Sequence, residues 1–148
     1  MVKLPPPVWA LLYSIAAGAL SWMYQWRQLI NLRIVWLSVA LVVIGLAIAF
    51  WAFSLFRLEG TELNPTSETN KLLVIRGPYR FTRNPMYLGL IILTLGVAFR
   101  AGALPMFAVP VLLFTTANWV HIPFEEAKMH RQFGAAFDAY TSQVRRWI

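Results

Sequence analysis

The chain lacks cysteine and is poor in charged residues. The absence of cysteine excludes disulfides, thiolate catalysis and cysteine-ligated metals. Charged residues make up only 13% of the 148 positions and apolar residues 59%, whereas a typical soluble domain carries about 25% charged residues. The two histidines, His121 and His130, lie nine positions apart and would face opposite sides of one helix. The composition therefore argues against a soluble fold, and no metal site is expected.

Four apolar stretches dominate the chain, at about 7–26, 34–56, 85–100 and 102–120. A membrane-spanning helix needs about 20 apolar residues, so the first, second and fourth stretches qualify directly. The third is short, and snorkelling by Arg100 or local thinning of the bilayer would accommodate it. Because lipid offers backbone amides no partner, the stretches must be helical. The sequence predicts a single-domain, all-α polytopic membrane protein with four transmembrane helices and an amphipathic C-terminal helix.

The positive charges are divided unevenly between the two sides that four spans would create. Ten Lys and Arg residues fall on the side of both termini and the 57–84 loop, and three fall on the other side. The positive-inside rule predicts that both termini and this loop are cytoplasmic. Topology and anionic lipid headgroups thus account for the net charge of +7, and no nucleic-acid partner is expected. The minimal length favours a prokaryotic inner or plasma membrane.

Polar residues concentrate in the 57–84 loop and in the tail at 121–148. The loop is 28 residues long, which is too long for a passive connector. In the tail, apolar residues recur at helical spacing from Phe124 to about Val144, with an interruption at Gly134. This spacing predicts an amphipathic helix on the membrane surface.

The loop ends in a pattern that favours the start of a helix. Asn84 suits the N-cap position and Pro85 the first helical position. The positive end of the helix dipole would then attract an anion at the cytoplasmic face. Nearby are two arginines and two tyrosines: Arg80, Arg83, Tyr79 and Tyr87. The structural alternative is an ordinary cap with snorkelling arginines and interfacial tyrosines.

Two adjacent carboxylates, Glu125 and Glu126, follow the fourth apolar stretch. Structurally, they would stabilise the start of the tail helix, with an ion pair from Glu126 to His130 one turn later. Functionally, one would face a cationic ligand and the other water. His121 is either an interfacial residue or a base. Together with the helix start at Asn84, these groups suit a zwitterionic cofactor that carries both a carboxylate and a cation.

The segment from Gly77 to Gly89 resembles the signature of the membrane methyltransferases related to isoprenylcysteine carboxyl methyltransferase and phospholipid N-methyltransferases. Leu73 and Val74 match the Leu-Val-x-x-Gly lead-in of that family, whose glycine is Gly77. The second element of the family is an acidic pair followed by Phe-Gly and Tyr. Here it is Glu125, Glu126, Phe133, Gly134, Phe137 and Tyr140, ending in Val144-Arg145-Arg146-Trp147. The resemblance covers residues 60–148.

The resemblance implies S-adenosylmethionine as the methyl donor and S-adenosylhomocysteine as the product, bound from the cytoplasm beneath a lid made by the loop and the tail. It places the adenosyl moiety against Leu73 and Val74, beside Gly77. It places the methionyl part among the residues that match the Arg-His-Pro-x-Tyr element and the acidic pair, namely Arg83, Asn84, Pro85, Tyr87, Glu125 and Glu126.

In this interpretation Tyr79 and Tyr87 contact the sulfonium by cation–π attraction, and Glu126 pairs with the cation of the cofactor. Arg83, Glu125 and Glu126 are the expected catalytic residues. The lipophilic acceptor, which is a lipid amine, a carboxylate or an isoprenoid-type small molecule, enters sideways from the bilayer. A carboxylate needs no base, whereas an amine or phenol would transfer a proton to Glu125 or His121.

Two features depart from the prenylcysteine enzymes. Those enzymes have His where this chain has Asn84, and Asn does not titrate. They also carry an Arg before the acidic pair, where this chain has His121 and then Ile122-Pro123-Phe124. The group expected to hold a prenylcysteine carboxylate is therefore missing, and the sequence does not point to that substrate.

Two other functions remain possible on the sequence alone. An NADPH-dependent membrane reductase of the sterol reductase type has a related helical architecture, but the chain offers no additional basic pocket for a 2′-phosphate. A non-enzymatic membrane scaffold would explain four spans and a basic face. It would not explain the motif from Arg83 to Gly89.

Overall fold

All regular secondary structure in the described part of the chain is helical, which confirms the predicted all-α class for those residues. The computed structural model describes residues 4–25, 32–58 and 73–148. The α-helices are α1 (Pro6–Met23), α2 (Val35–Leu58), α3 (Pro85–Ala101), α4 (Ala108–Thr116), α5 (Ile122–Phe133) and α6 (Ala135–Gln143). Shorter helical turns occupy Gly77–Arg80 and Leu104–Phe107, both of 3₁₀ type, and Ala117–His121, of π type. Half of the predicted 57–84 loop, residues 59–72, lies outside the described residues.

A stripe of small residues joins α2 to α3. The buried residues of α2 are Ser38, Gly45 and Ala52, seven positions apart and therefore on one side of the helix. Gly45 touches the backbone of α3, since a Cβ atom there would lie 2.6 Å from the carbonyl oxygen of Gly89. Many large apolar side chains of α2 are exposed instead, among them Trp36 at 75% and Phe50 at 71%. Small residues inside and large apolar residues outside are typical of helices that pack together in lipid.

Two helices in the described part of the chain are long and apolar enough to cross a membrane. They are α2 and the continuous helical rod Leu104–Phe133. Helix α3 is apolar but only 17 residues long, and α1, with 18 residues, does not meet the same test. These findings support a membrane protein. Of the four predicted spans, the second and the fourth meet this test of length and hydropathy.

The rod Leu104–Phe133 unites the fourth apolar stretch with the first half of the tail. Helix α4 continues through the π turn into α5 without a break, so the tail helix predicted from Phe124 is an extension of the apolar helix. Thirty residues measure about 45 Å at about 1.5 Å per residue, more than the hydrocarbon thickness of about 30 Å. Glu125 is the first Asp, Glu, Lys or Arg of the rod. Helix α5 therefore extends beyond the part suited to the membrane interior.

The interruption predicted at Gly134 is present. Gly134 has a φ of +49° and separates α5 from α6. This left-handed backbone conformation strains any residue with a Cβ atom. Helix α6 ends at Gln143, and the chain becomes extended at Val144. We call residues 144–148 the C-terminal strap.

The helices pack so that one end of the bundle collects polar residues. Helix α2 packs along α3, and at the far end the backbone N–H of Ile34 donates to the carbonyl of Phe99 at 3.2 Å. Helix α1 packs against α4, where the hydroxyls of Tyr13 and Thr116 lie 2.8 Å apart. Opposite the Ile34 end, the end of α2, the start of α3 and α5 meet around a cavity.

Candidate functional site

The cavity has a volume of about 580 Å³, within the range of about 300–1,000 Å³ found for small-molecule sites. Its walls come from the start of α1, from α2, α3, α5 and α6, and from the segment before the Gly77–Arg80 turn. It brings together nine of the ten site residues predicted from the sequence, namely Leu73, Val74, Tyr79, Arg83, Asn84, Pro85, Tyr87, Glu125 and Glu126. Residues that lie up to 53 positions apart in the chain thus share one site.

Gly77 is the tenth predicted residue, and it does not line the cavity. Its φ is +61°, and a Cβ atom on Gly77 would collide with Leu55 and contact the ring of Trp51. Gly77 therefore shapes the 3₁₀ turn that presents Tyr79 to the cavity. Its place in the structure differs from the cofactor contact expected for it.

One half of the cavity, the apolar lobe, lies between α2, α3 and the start of α1. Its lining consists of Leu46, Ala49, Phe50 and Phe53 of α2, Met86 and Leu90 of α3, and Pro5, Pro6 and Pro7. The α2 residues follow the spacing that puts side chains on one helix face. Between Leu46 and Phe56, the lining of the whole cavity extends along α2 over ten residue steps, or about 15 Å at about 1.5 Å per residue.

The other half, the polar lobe, is lined by Tyr79, Arg83, Asn84, Tyr87, Glu125 and Glu126. In it the Glu126 carboxylate is held between two guanidinium groups. Arg83 Nη2 lies 2.9 Å from Glu126 Oε1, and Arg146 Nη2 contacts Glu126 Oε2. The side chains of Arg83 and Glu126 are 14% and 21% exposed. Two cations share one anion, so this cluster carries a net positive charge and suits an anionic group of a ligand.

The predicted ion pair between Glu126 and His130 is wrong. Glu126 is occupied by the two arginines, and His130 Nε2 instead lies 3.2 Å from Asp138 Oδ1. The break at Gly134 allows α6 to bring Asp138 to His130. Both partners of that pair are about 60% exposed, so it adds little to stability.

Asn84 occupies the predicted N-cap position of α3, and α3 begins at Pro85 as expected. The expected side-chain cap is wrong, because Asn84 makes no capping hydrogen bond. Its Nδ2 donates to the carbonyl of Arg146 in the C-terminal strap at 3.0 Å. The Asn84 side chain therefore leaves the first backbone N–H groups of α3 uncapped, and the positive end of the helix dipole lies at the cavity wall.

Glu125 lies at the junction of the two lobes and accepts a hydrogen bond of 2.8 Å from the hydroxyl of Tyr87. Burial raises the pKa of Glu125 to about 7, although the Tyr87 hydrogen bond and the charge of Lys128 oppose the shift. Glu125 is therefore close to half-protonated near neutral pH. A carboxyl group of this kind can accept or donate a proton.

Tyr79 and Tyr140 form a rigid aromatic wall. The Tyr140 hydroxyl donates to the carbonyl of Tyr79 at 2.7 Å, and the Tyr79 ring packs 5.3 Å from that of Phe56. Burial raises the pKa of Tyr140 to about 12, against the opposing charge of Arg83. Burial likewise raises the pKa of Tyr79 far above its ordinary value. Both phenols are neutral at physiological pH, and both residues line the cavity.

His121 does not line the cavity. It is only 4% exposed and packs near Tyr87, with ring centroids 6.2 Å apart. Its Nε2 atom meets no hydrogen-bond partner among the described residues. His121 is thus buried, and not at an exposed interface as expected.

Several residues of the site have no assigned role in the sequence analysis, although the family pattern contains them. Tyr140 and Phe137 line the cavity. Arg146 does not line it but pairs with Glu126, which does. The α2 face has no distinguishing signal, because α2 is apolar on every side. Pro5–Pro7 could not be placed from sequence, because their position depends on how α1 packs.

Comparisons with known proteins identify the family. A family model described as phospholipid methyltransferase matches residues 33–136, from just before α2 to the first turn of α6. Searches of curated proteins and of solved structures each found no match. The match contains the paired Arg83 and Glu126, whereas α1 and the C-terminal strap lie outside it. Since the model covers well over half of the chain, this protein belongs to the phospholipid methyltransferase family, a family of membrane methyltransferases.

Proposed function

We propose that this protein transfers a methyl group from S-adenosylmethionine to a lipophilic acceptor, with S-adenosylhomocysteine as the product. One observation carries the proposal: a single cavity joins a polar lobe with net positive charge to an apolar lobe between membrane-type helices. A polar cofactor and a lipid therefore have adjoining places, with the junction at Tyr87 and Glu125.

The polar lobe fits the zwitterionic end of this cofactor. Arg83 and the uncapped start of α3 suit a carboxylate, and the ring faces of Tyr79 and Tyr87 suit a sulfonium. Leu73 and Val74 offer an apolar surface to the adenosyl moiety. S-adenosylmethionine supplies, when bound, a methyl group on a positively charged sulfur.

Glu126 has a different role in this proposal from the one expected of it. Both of its carboxylate oxygens contact guanidinium groups, so it has little capacity left for the cation of a ligand. We propose that Glu126 holds Arg83 and Arg146 in place. Glu125 is then the carboxylate that faces the cationic end of the cofactor.

The acceptor is proposed to enter the apolar lobe from the bilayer. Phe50 lines the lobe and is also 71% exposed, so the lobe reaches the lipid-facing surface of α2. Helix α1 packs on α4 and α3, and α2 packs on α3. The lobe therefore lies between α1 and α2, where a lipid tail can enter while its reactive head reaches Glu125.

The chain then contributes positioning, exclusion of water and control of one proton. The polar lobe orients the donor, and the apolar lobe keeps water from the attacking atom. A carboxylate acceptor requires no proton transfer. An amine or phenol acceptor gives its proton to Glu125, whose hydrogen bond with Tyr87 fixes the orientation of the carboxylate.

We further propose that four helices cross the membrane and that the site lies on the cytoplasmic side, with ten of the thirteen Lys and Arg residues. Labelled S-adenosylmethionine, which crosses membranes poorly, should methylate a lipid in vesicles that expose the cytoplasmic face. Right-side-out vesicles should react only after permeabilisation. Absence of labelled lipid in both preparations, supplemented with total membrane lipid extract, would contradict the proposed activity.

A separate measurement tests the reductase alternative. Thermal stabilisation of the protein by NADPH but not by S-adenosylhomocysteine would favour a reductase.

The pH dependence of methyl transfer tests Glu125. Because its pKa is about 7, it is protonated below that pH, and transfer to an amine or phenol should decline as the pH falls through 7. The variant Glu125→Gln keeps an acceptor for Tyr87 and should lose this acid limb, with a rate lower by about 10²–10⁴-fold. An unchanged acid limb in Glu125→Gln would exclude it as the base, and a wild-type profile without the limb would indicate a carboxylate acceptor.

A further inference from the structure

The C-terminal strap is bonded to the segment that leads into α3. The carbonyl of Arg146 accepts hydrogen bonds from Thr82 Oγ1 at 3.1 Å and from Asn84 Nδ2 at 3.0 Å. The carbonyl of Arg145 accepts a third bond, from the backbone N–H of Arg83 at 3.0 Å. The strap therefore holds Arg83 and the residues on both sides of it. It also brings the guanidinium group of Arg146 to Glu126, which lines the polar lobe.

The strap is itself anchored through Trp147. The indole Nε1 donates to Asn118 Oδ1 at 3.0 Å, and the ring lies 4.9 Å from that of Phe114. The same ring packs on a buried cluster of Tyr87, Ala117 and Ile122. Asn118 belongs to the π turn that joins α4 to α5, an irregularity that often marks functional positions in helices. We call the Trp147–Asn118 hydrogen bond the latch.

We infer that Trp147 is a positioning residue for the cofactor site: the latch holds the strap, and the strap holds Arg83 and Arg146 at the anion-binding end of the cavity. Trp147 does not line the cavity, so it acts through its neighbours. The inference rests on the proposed function, and it adds a residue outside the matched part of the chain.

The physical reason is preorganisation. Arginine side chains have many rotamers, and ordering them during binding weakens affinity. With the strap latched, the two guanidinium groups meet on Glu126 before any ligand arrives. Without the latch, the strap would keep fewer contacts, and ligand binding would have to order both arginines and the strap.

The test uses two single variants and their combination. Asn118→Leu removes the acceptor of the latch and keeps a similar shape, and Trp147→Phe removes the donor and keeps an aromatic ring. Each should weaken calorimetric binding of S-adenosylhomocysteine to the purified full chain by about two- to tenfold, as expected for one hydrogen bond. The double variant should bind S-adenosylhomocysteine no less tightly than the single variant with the lower affinity, because both changes remove the same hydrogen bond.

A matched control is Tyr13→Phe, which removes the hydrogen bond to Thr116 at a position away from the cavity. It should leave binding unchanged. Hydrogen exchange of residues 144–148 in the ligand-free protein gives a second readout and should accelerate in both latch variants but not in the control. If the wild-type protein binds S-adenosylhomocysteine and both latch variants bind it with the same affinity, the inference is overturned and the proposed function is left intact. Absence of wild-type binding would overturn the proposed function and the inference with it.

Discussion

Replacement of Gly45 by alanine is expected to lower the free energy of unfolding by about 1–3 kcal/mol, the usual range for overpacking. The added Cβ atom would lie 2.6 Å from the carbonyl oxygen of Gly89, 2.6 Å from the backbone nitrogen of Leu93 and 2.9 Å from its Cα atom. All three are backbone atoms of α3, so no side-chain rotation relieves the collision and the two helices must separate. Thermal unfolding of the purified protein in detergent measures the effect.

Gly18→Ala is the matched control for this prediction. Gly18 lies in α1, and a Cβ atom there meets nothing within 4 Å. Alanine is the better helix former by about 1 kcal/mol, so Gly18→Ala should leave the unfolding temperature unchanged or raise it. Equal stability of the Gly45 and Gly18 variants would contradict the close α2–α3 contact. Because Leu46 and Leu90 line the apolar lobe beside this contact, Gly45→Ala should also reduce methyl transfer.

Arg83→Met is expected to weaken binding of S-adenosylhomocysteine by about 10- to 150-fold. This corresponds to about 1.5–3 kcal/mol for a hydrogen bond to a charged group. Arg83 lines the polar lobe, is 14% exposed and pairs with Glu126 at 2.9 Å. Methionine keeps much of the apolar side chain and removes the charge. The variant therefore lacks the charge that is proposed to hold the ligand's carboxylate. The weaker affinity should be measured by calorimetric titration of the purified protein with S-adenosylhomocysteine.

Arg80→Met provides the comparison within the same segment. Arg80 is exposed and does not line the cavity, so its replacement removes the same formal charge and should leave binding nearly unchanged. Equal losses in the two variants would mean that Arg83 acts only through the overall positive charge. Thermal unfolding should accompany both measurements, since Arg83 Nη1 also donates to the carbonyl of Thr141 at 3.3 Å.

The residues of the candidate site were largely accessible from the sequence because they lie in two compact patterns. Arg83, Asn84, Pro85 and Tyr87 occupy one turn at the start of a helix, and Glu125 and Glu126 are adjacent. Local chemistry and the family resemblance identified both groups. The sequence does not predict which of these side chains pair with each other, because pairing depends on distances between segments that are far apart in the chain. For Glu126, helical spacing offers an ion pair with His130 as the structural alternative, yet it meets Arg83 and Arg146.

The amino-acid sequence by itself determined the helical class, the membrane character, the helix start at Pro85 and the break at Gly134, because these follow from composition, from the lack of backbone partners in lipid and from local backbone preferences. Only the tertiary structure decided which face of α2 lines the cavity and that α4 continues into α5. It also decided that the strap engages Asn84 and Arg146 engages Glu126. The reason is physical: an all-apolar helix carries no periodic signal for its buried face, and contacts between residues as distant as Asn84 and Arg146 arise only when the helices pack.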